Sequence, residues 1–275
     1  MAENRTAVGE VLLSIESVDL WFGGTHALNE VTFDVKAGEI FGIIGPNGAG
    51  KSSLLNCING YYKPKTGHIR FDGQDLTGTA PHLVARRGIG RTFQNIELTA
   101  ESSVIDNVML GRHLLIKSNP LSEILQLPGA RRQEAENRKA VEGILDLVGL
   151  FDVRNEPVSD LPYGRQKLVE LARALATDPK LLLLDEPTAG MTADERHEVG
   201  SQLKKLASQT DVTLVLIEHD TKFIRDLSSR VAVLDFGSLI ALGTPTEVME
   251  DPRVVEAYLG ASESVVQTLL DETSR

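Results

Sequence analysis

An α/β fold is predicted: a mostly parallel sheet with an antiparallel β part, interrupted by an inserted α-helical subdomain. Three features predict it. Residues 12–35 alternate apolar and polar side chains in the manner of half-buried strands. Residues 104–148 carry apolar side chains at helical spacing. From 181 onward, short apolar runs alternate with amphipathic segments, the pattern of a parallel sheet with crossover helices.

Taken in order, residues 1–10 are polar and are expected to fray. Leu13, Ile15 and Val18 lead to Trp21-Phe22-Gly23-Gly24, and Val31, Phe33 and Val35 alternate up to a turn at residues 36–39, which reads as antiparallel strands. Ile40 to Ile44 is an unbroken apolar run, a buried strand, and a helix follows from Ser52 to about Asn59-Gly60. Ile69 and Phe71 alternate up to a hairpin-type turn at Asp72-Gly73, and Ile89 to Phe93 is a short strand ending at Gln94. The helical stretch then carries Val104, Val108 and Leu115, breaks at Asn119-Pro120 and Pro128-Gly129, and resumes as a charged helix with Val141, Ile144, Leu145 and Val148 on one side and Gly149 as its stop.

Leu168, Leu171, Ala172 and Leu175 fall at i, i+3, i+4 and i+7, so 165–177 is an amphipathic helix returning to the core, ended by Asp178-Pro179. Strand 181–185, a helix from Thr192, strand 212–218, helix 221–228 and strand 231–235 complete the alternation. Thr192-Ala193-Asp194-Glu195 and Thr244-Pro245-Thr246-Glu247 are capping boxes that mark two helix starts. The division is an α/β core of residues 12–94 and 166–260, a helical subdomain of 95–165, and a tail of 261–275. In that tail Val265, Val266, Leu269 and Leu270 fit either a docking helix or a frayed end.

With 41% apolar and 24% charged residues in 275, the composition is that of a globular protein able to bury a sizeable core. Apolar runs such as Leu181 to Leu184 are far shorter than the ~20 residues of a membrane-spanning helix, and the N-terminal residues lack a basic segment followed by an apolar one. The expected location is therefore the cytoplasm. The formal charge of −11 argues against a nucleic-acid partner, which needs a basic face; Arg86, Arg87 and Arg91 form one local basic group, read as a solvated surface or a protein contact. The single cysteine, Cys57, lies at an apolar-looking helix position and reads as core.

The chemistry starts at Gly45-Pro46-Asn47-Gly48-Ala49-Gly50-Lys51-Ser52, which fits G-x-x-x-x-G-K-[ST] at every fixed position, between a buried strand and a helix. Glycines in such a loop let successive N–H groups point inward around a chain of phosphates, and the first turn of the helix, Ser52-Ser53 onward, adds its amides and positive dipole end. Lys51 then reaches the β- and γ-phosphates, and the Ser52 hydroxyl takes a position on Mg²⁺. The expected ligand is a nucleoside triphosphate with Mg²⁺. The strand Leu181–Leu184 delivers Asp185 and Glu186 to the same carboxyl edge of the sheet: Asp185 to hold Mg²⁺, Glu186 to accept a proton from an attacking water. The strand 212–217 brings His219 to that edge as well, where it can bond a γ-phosphate or orient the water. On their own, His219 and Gln94 are polar residues at strand ends.

In combination, these residues resemble the ATP-binding subunits of ABC transporters over roughly residues 12–260. The resemblance implies a P-loop NTPase core of the ABC ATPase type that hydrolyses ATP with Mg²⁺. By the same resemblance Phe22 stacks on adenine, Gln94 at the core-to-helical joint takes part in catalysis and in holding the metal, Glu186 is the catalytic glutamate and His219 the switch histidine. It further implies that two subunits, identical or different, sandwich two ATP molecules. Each phosphate loop then faces the partner's signature segment, matched here by Leu161-Pro162-Tyr163-Gly164-Arg165-Gln166.

Two departures from the family pattern stand out. Where the signature is Leu-Ser-Gly-Gly-Gln, Pro162 has neither the hydroxyl nor the N–H of the serine, so the expected contacts to the partner's ATP fall to Tyr163, Gly164, Arg165, Gln166 and the helix N-terminus. Where the D-loop ends in aspartate, this chain has Thr192. The Phe-Gly-Gly turn, the aromatic residue in the signature, the long helical subdomain and the segment Val254 to Gly260 are similar to the branch for branched-chain amino acids. That likeness implies uptake of such amino acids through integral membrane permease subunits, supplied by a solute-binding protein, with this chain peripheral on the inner face of the cell membrane. The alternatives are a soluble ATPase of the same class acting on ribosomes or DNA, or an importer of another small solute such as an amide or urea. One ATPase cassette and the absence of sustained heptads weigh against the soluble relatives, and the absence of Asn-Lys-x-Asp weighs against a GTPase.

Overall fold

Two sheets pack on one shared hydrophobic cluster. The structure, a computed structural model, describes residues 6–92, 98–115 and 128–259. The first sheet is antiparallel, in the order β2-β1-β4-β5, from β1 (Val11–Phe22), β2 (Thr25–Lys36), β4 (Thr66–Phe71) and β5 (Gln74–Asp75). The second runs β10-β9-β3-β8-β7-β6, from β3 (Ile40–Ile44), β6 (Ile89–Thr92), β7 (Leu181–Asp185), β8 (Thr213–Ile217), β9 (Arg230–Asp235) and β10 (Ser238–Gly243). All its neighbours are parallel except β9 and β10. This is the α/β architecture the residue pattern predicts.

The central strands are buried on both faces, which is why they read as continuous apolar runs instead of alternating. Leu181 and Leu183 face the core shared with the antiparallel sheet and α1 (Lys51–Ile58), and Leu182 and Leu184 face the helices on the other side. Each such leucine contributes about 1.5–3 kcal/mol by leaving water. On the helical side α3 (Val104–Met109), α4 (Pro128–Leu147) and α5 (Tyr163–Leu175) pack together through Val104, Val108, Val141, Leu145, Leu168 and Ala172, in one cluster that continues to α6 (Ala193–Gln209). The helical segment is thereby anchored to the core through α5.

Several elements differ from the pattern-based reading. The helix after 102 stops at Met109 and tightens into a 3₁₀ segment, Leu110–Leu115. Helix α5 begins at Tyr163, so the boundary placed between 165 and 166 falls inside its first turn. Helix α2 (Pro81–Arg86), strand β10 and helix α9 (Pro252–Leu259) were not separable by periodicity: α2 buries only Val84, and β10 is an edge strand whose residues are mostly half-exposed. Helix α7 (Thr221–Leu227) and both capping boxes, at Thr192 and at Thr244 before α8 (Pro245–Met249), form as expected. Arg91 does not belong to a surface basic group; it is buried against Asp185. Gln94, the break at Asn119-Pro120 and the tail 261–275 lie outside the described residues.

Candidate nucleotide-binding site

Strand β3 ends at Ile44, and residues 45–50 form a loop that feeds straight into α1. Gly45 has φ 151°, and a Cβ there would sit 2.1 Å from the Leu234 carbonyl oxygen, so no other residue lets the loop pass β9 at this distance. Lys51 is buried, and its Nζ donates to the carbonyls of Gly45 (2.7 Å) and Pro46 (2.9 Å), spanning the loop from within. Burial lowers its pKa from the ordinary lysine value, and Glu186 and Asp185 act against that shift. The loop therefore holds a cation at its centre with two carboxylates close by.

An open cleft of about 350 Å³ covers this loop. Its walls are Asn47 to Ser53, Thr25, His26 and Ala27 at the start of β2, Glu186, His219 and Phe236. Asn47, Gly48, Ala49, Gly50, Lys51, Ser52, Ser53, Glu186 and His219 thus come together in one cleft, joined by Thr25, His26, Ala27 and Phe236, which motif reading missed. Phe22 stands at the end of β1, half-exposed and edge-on against Tyr62 at 5.0 Å, outside the residues lining the cleft. Cys57, in α1, is buried, and its thiol is pushed up to about 12 by burial, which fits packing and not reactivity.

The acids are held by different means. Asp185 Oδ2 accepts from Arg91 Nη2 at 2.8 Å, and Arg91 Nη1 donates to Asn56 Oδ1 of α1 at 2.6 Å, which fixes the carboxylate between β6 and α1. Glu186 adopts φ 49°, a left-handed conformation that is costly for a glutamate and recurs where a side chain must be aimed at a reaction. Its N–H donates to Ile217 O at 2.9 Å, and its Oε1 lies within hydrogen-bond distance of His219 Nε2, at 2.9 Å. Behind them Glu218 is buried, accepting from the Thr188 N–H (2.8 Å) and hydroxyl (2.7 Å); burial raises its pKa.

Ser52 and Asp185 offer hydroxyl and carboxylate oxygens, the donor set of a hard divalent cation that keeps several of its waters. Among the described residues there is no group of three His, Cys, Asp or Glu side chains that could hold a metal ion unaided. The two oxygens fit a Mg²⁺ whose other ligands are water and the phosphates of a nucleotide.

The signature segment stands on another element. Pro162 is the N-cap of α5, with no side-chain cap, and the Gln166 side chain donates to Leu161 O at 2.9 Å. The Gly164 N–H, expected to be open at the helix start, donates instead to Glu195 Oε1 at 3.0 Å, and Arg165 pairs with Glu198 at 3.6 Å. Both tie α5 to α6. Tyr163 is 40% exposed and presents its ring beside Gly190.

A glycine loop between a strand and a helix, two acids at the end of the next strand but one, and a histidine bonded to the second acid define a P-loop nucleoside triphosphatase. The chain belongs to the ABC transporter family, which it matches over residues 28–189, and residues 238–264 match the branched-chain amino acid ATP-binding cassette transporter family. It is an ATP hydrolase of that kind. It is 37% identical over 249 residues to the high-affinity branched-chain amino acid transport ATP-binding protein BraF of Pseudomonas aeruginosa, covering 90% of this chain and 98% of that protein. It is 38% identical over 253 residues to the corresponding protein LivG of Escherichia coli, covering 92% and 99%. Among solved structures it is similar to the ADP conformation of MJ1267, an ATP-binding cassette of an ABC transporter, with TM-score 0.79 and 32% identity over 91% of this chain and 99% of that one. No helix among the described residues is long and apolar enough to cross a membrane.

Proposed function

We propose that this chain is the ATP-hydrolysing subunit of a membrane importer for branched-chain or related amino acids. The observation that carries the proposal is similarity along nearly the whole length to LivG and BraF, proteins of branched-chain amino acid transport, together with a second match at residues 238–264 outside the ATP-binding motifs. In this reading the phosphates of ATP lie on residues 45–53, with Lys51 at the β- and γ-phosphates and Ser52 and Asp185 toward Mg²⁺, whose role is to neutralise the phosphate oxygens. Gln94 would supply its side-chain amide to the metal and the attacking water. Glu186 accepts the water's proton, and His219 orients the carboxylate. Phe22 takes the adenine.

Two copies, or this chain and a second ATPase subunit, close on two ATP molecules, with Tyr163, Gly164, Arg165 and Gln166 of each meeting the other's nucleotide. Closure and hydrolysis drive the permease subunits, which receive the solute from a solute-binding protein, and the chain sits on the inner face of the cell membrane through them.

Uptake of labelled leucine, isoleucine and valine in cells lacking this chain tests the proposal. Uptake should fall and be restored by the wild-type chain but not by Lys51→Ala. Unchanged uptake of all three, with loss of amide or urea uptake or with the chain on ribosomes instead of in detergent-solubilised permease complexes, would overturn it.

A further inference from the structure

Strands β9 and β10 are joined by a two-residue turn, Phe236-Gly237, with Asp235 and Ser238 paired across its base. Both turn residues have positive φ, 41° and 80°. A tight hairpin of this form favours asparagine, aspartate or glycine at its first position, because a bulky side chain at positive φ is strained. The chain places a phenylalanine there and leaves it 87% exposed, the most exposed large hydrophobic residue described. Neither turn geometry nor core packing accounts for that choice.

The position of the turn does. The Gly237 N–H donates to Ala49 O in the phosphate loop at 3.0 Å, and Gly237 O accepts from the Asn29 N–H of β2 at 2.8 Å. A Cβ on Gly237 would lie 2.8 Å from Ala27 O. The turn is thus pinned between the phosphate loop and the start of β2, and Phe236 lines the cleft together with Thr25, His26 and Ala27. A ligand with its phosphates on the loop would have the Phe236 side of the same cleft for its uncharged end.

We infer that Phe236 is a nucleotide-contacting residue that presents its ring to the nucleoside part of ATP, and so helps the site select a nucleotide over a bare polyphosphate. The inference rests on the assignment of the phosphates to residues 45–53 and is independent of the solute transported. A π-face recognises any base by stacking, so this contact adds affinity for nucleosides without choosing among bases.

The test compares affinity for ATP and for inorganic tripolyphosphate, each with Mg²⁺, in the full chain. Phe236→Asn suits the turn better than phenylalanine and leaves folding intact, which a melting temperature at or above wild type confirms. It should weaken ATP about 5-fold or more and leave tripolyphosphate unchanged, while Phe236→Tyr should bind both as wild type does. A smaller loss for ATP, or an equal loss for both ligands, would overturn the inference. Lys51→Ala, measured alongside, should weaken both ligands. If it weakened neither, the phosphate assignment itself would fall, an outcome distinct from failure at Phe236.

Discussion

His219 Nε2 lies 2.9 Å from Glu186 Oε1, joining the ends of β8 and β7 across the mouth of the cleft. The glutamate is fixed twice: by this bond, and by a left-handed backbone stitched to Ile217 O. For the proton-accepting role proposed for Glu186, fixing the carboxylate in this way lowers the cost of orienting it in the transition state.

Glu186→Gln should therefore lower ATP turnover about 10²–10⁴-fold, the usual contribution of a general base, while ATP binding persists. His219→Ala removes a charge-assisted hydrogen bond of about 1.5–3 kcal/mol, which corresponds to about 10- to 100-fold in turnover if it acts through the glutamate. Steady-state ATPase assays of both variants and of the double variant check this. Because the pair works as a unit, the double variant should be no slower than Glu186→Gln alone, and additive losses would assign His219 a separate role.

Arg91 and Asp185 form an ion pair at 2.8 Å with side chains only 11% and 9% exposed. Arg91→Ala strands a buried carboxylate, and a loss of about 3–5 kcal/mol in urea unfolding is expected. In an Asp185→Asn background the same substitution should cost markedly less, because the charge that Arg91 compensates is gone.

The parallel core and the phosphate loop were legible in the residue pattern because each is dictated locally. Strands buried on both faces must be continuously apolar, and a loop that turns its amides inward needs glycine at fixed places. Glu186 and His219 were legible as chain positions at strand ends; their bond was not, since it depends on β7 and β8 being neighbours in register. Arg91 was misread as surface because nothing local to it announces a partner 94 residues away. Phe236 was missed for the opposite reason: the strand pattern ended at 235, and an edge strand with half-exposed residues hid the two-residue hairpin that gives Phe236 its place.

Glu218 supplies a pH signature. Burial raises its pKa above the ordinary value of 4.5, with the Thr188 hydrogen bonds acting against the shift and the Glu186 charge adding to it. A carboxyl with a raised folded-state pKa stabilises the fold fully below its unfolded value, and that contribution is lost as pH rises through the folded-state value. Glu218→Gln should flatten this decline in thermal unfolding measured from pH 4.5 upward. Glu218→Ala should instead destabilise at every pH, by about 1–3 kcal/mol, because it leaves the buried Thr188 donors without an acceptor. A wild-type profile that rises over that interval by as much as the Glu218→Gln profile would refute the assignment.

Glu195 joins the start of the helix that carries the signature segment to Thr192 at the start of α6. One oxygen accepts from Gly164 at the start of α5, and the other from the N–H and hydroxyl of Thr192 at the start of α6, both at 2.9 Å. Pro162 offers no side-chain cap to α5, so this carboxylate, three residues after Thr192, takes the Gly164 amide from outside the helix. One carboxylate thus bonds the starts of both helices, beside the Arg165–Glu198 pair that also joins them. The hydrogen bonds from Thr192 and then Gly164 hold the Glu195 pKa low, so its contribution is present above the ordinary glutamate value and is lost as pH falls through the folded-state value. Glu195→Ala should speed amide hydrogen exchange at both Gly164 and Thr192 and weaken the acid-side decline in stability, whereas Thr192→Ala should speed exchange at the α6 start and leave Gly164 protected. If Gly164 stayed protected in Glu195→Ala, the link between the two helix starts would not run through this residue.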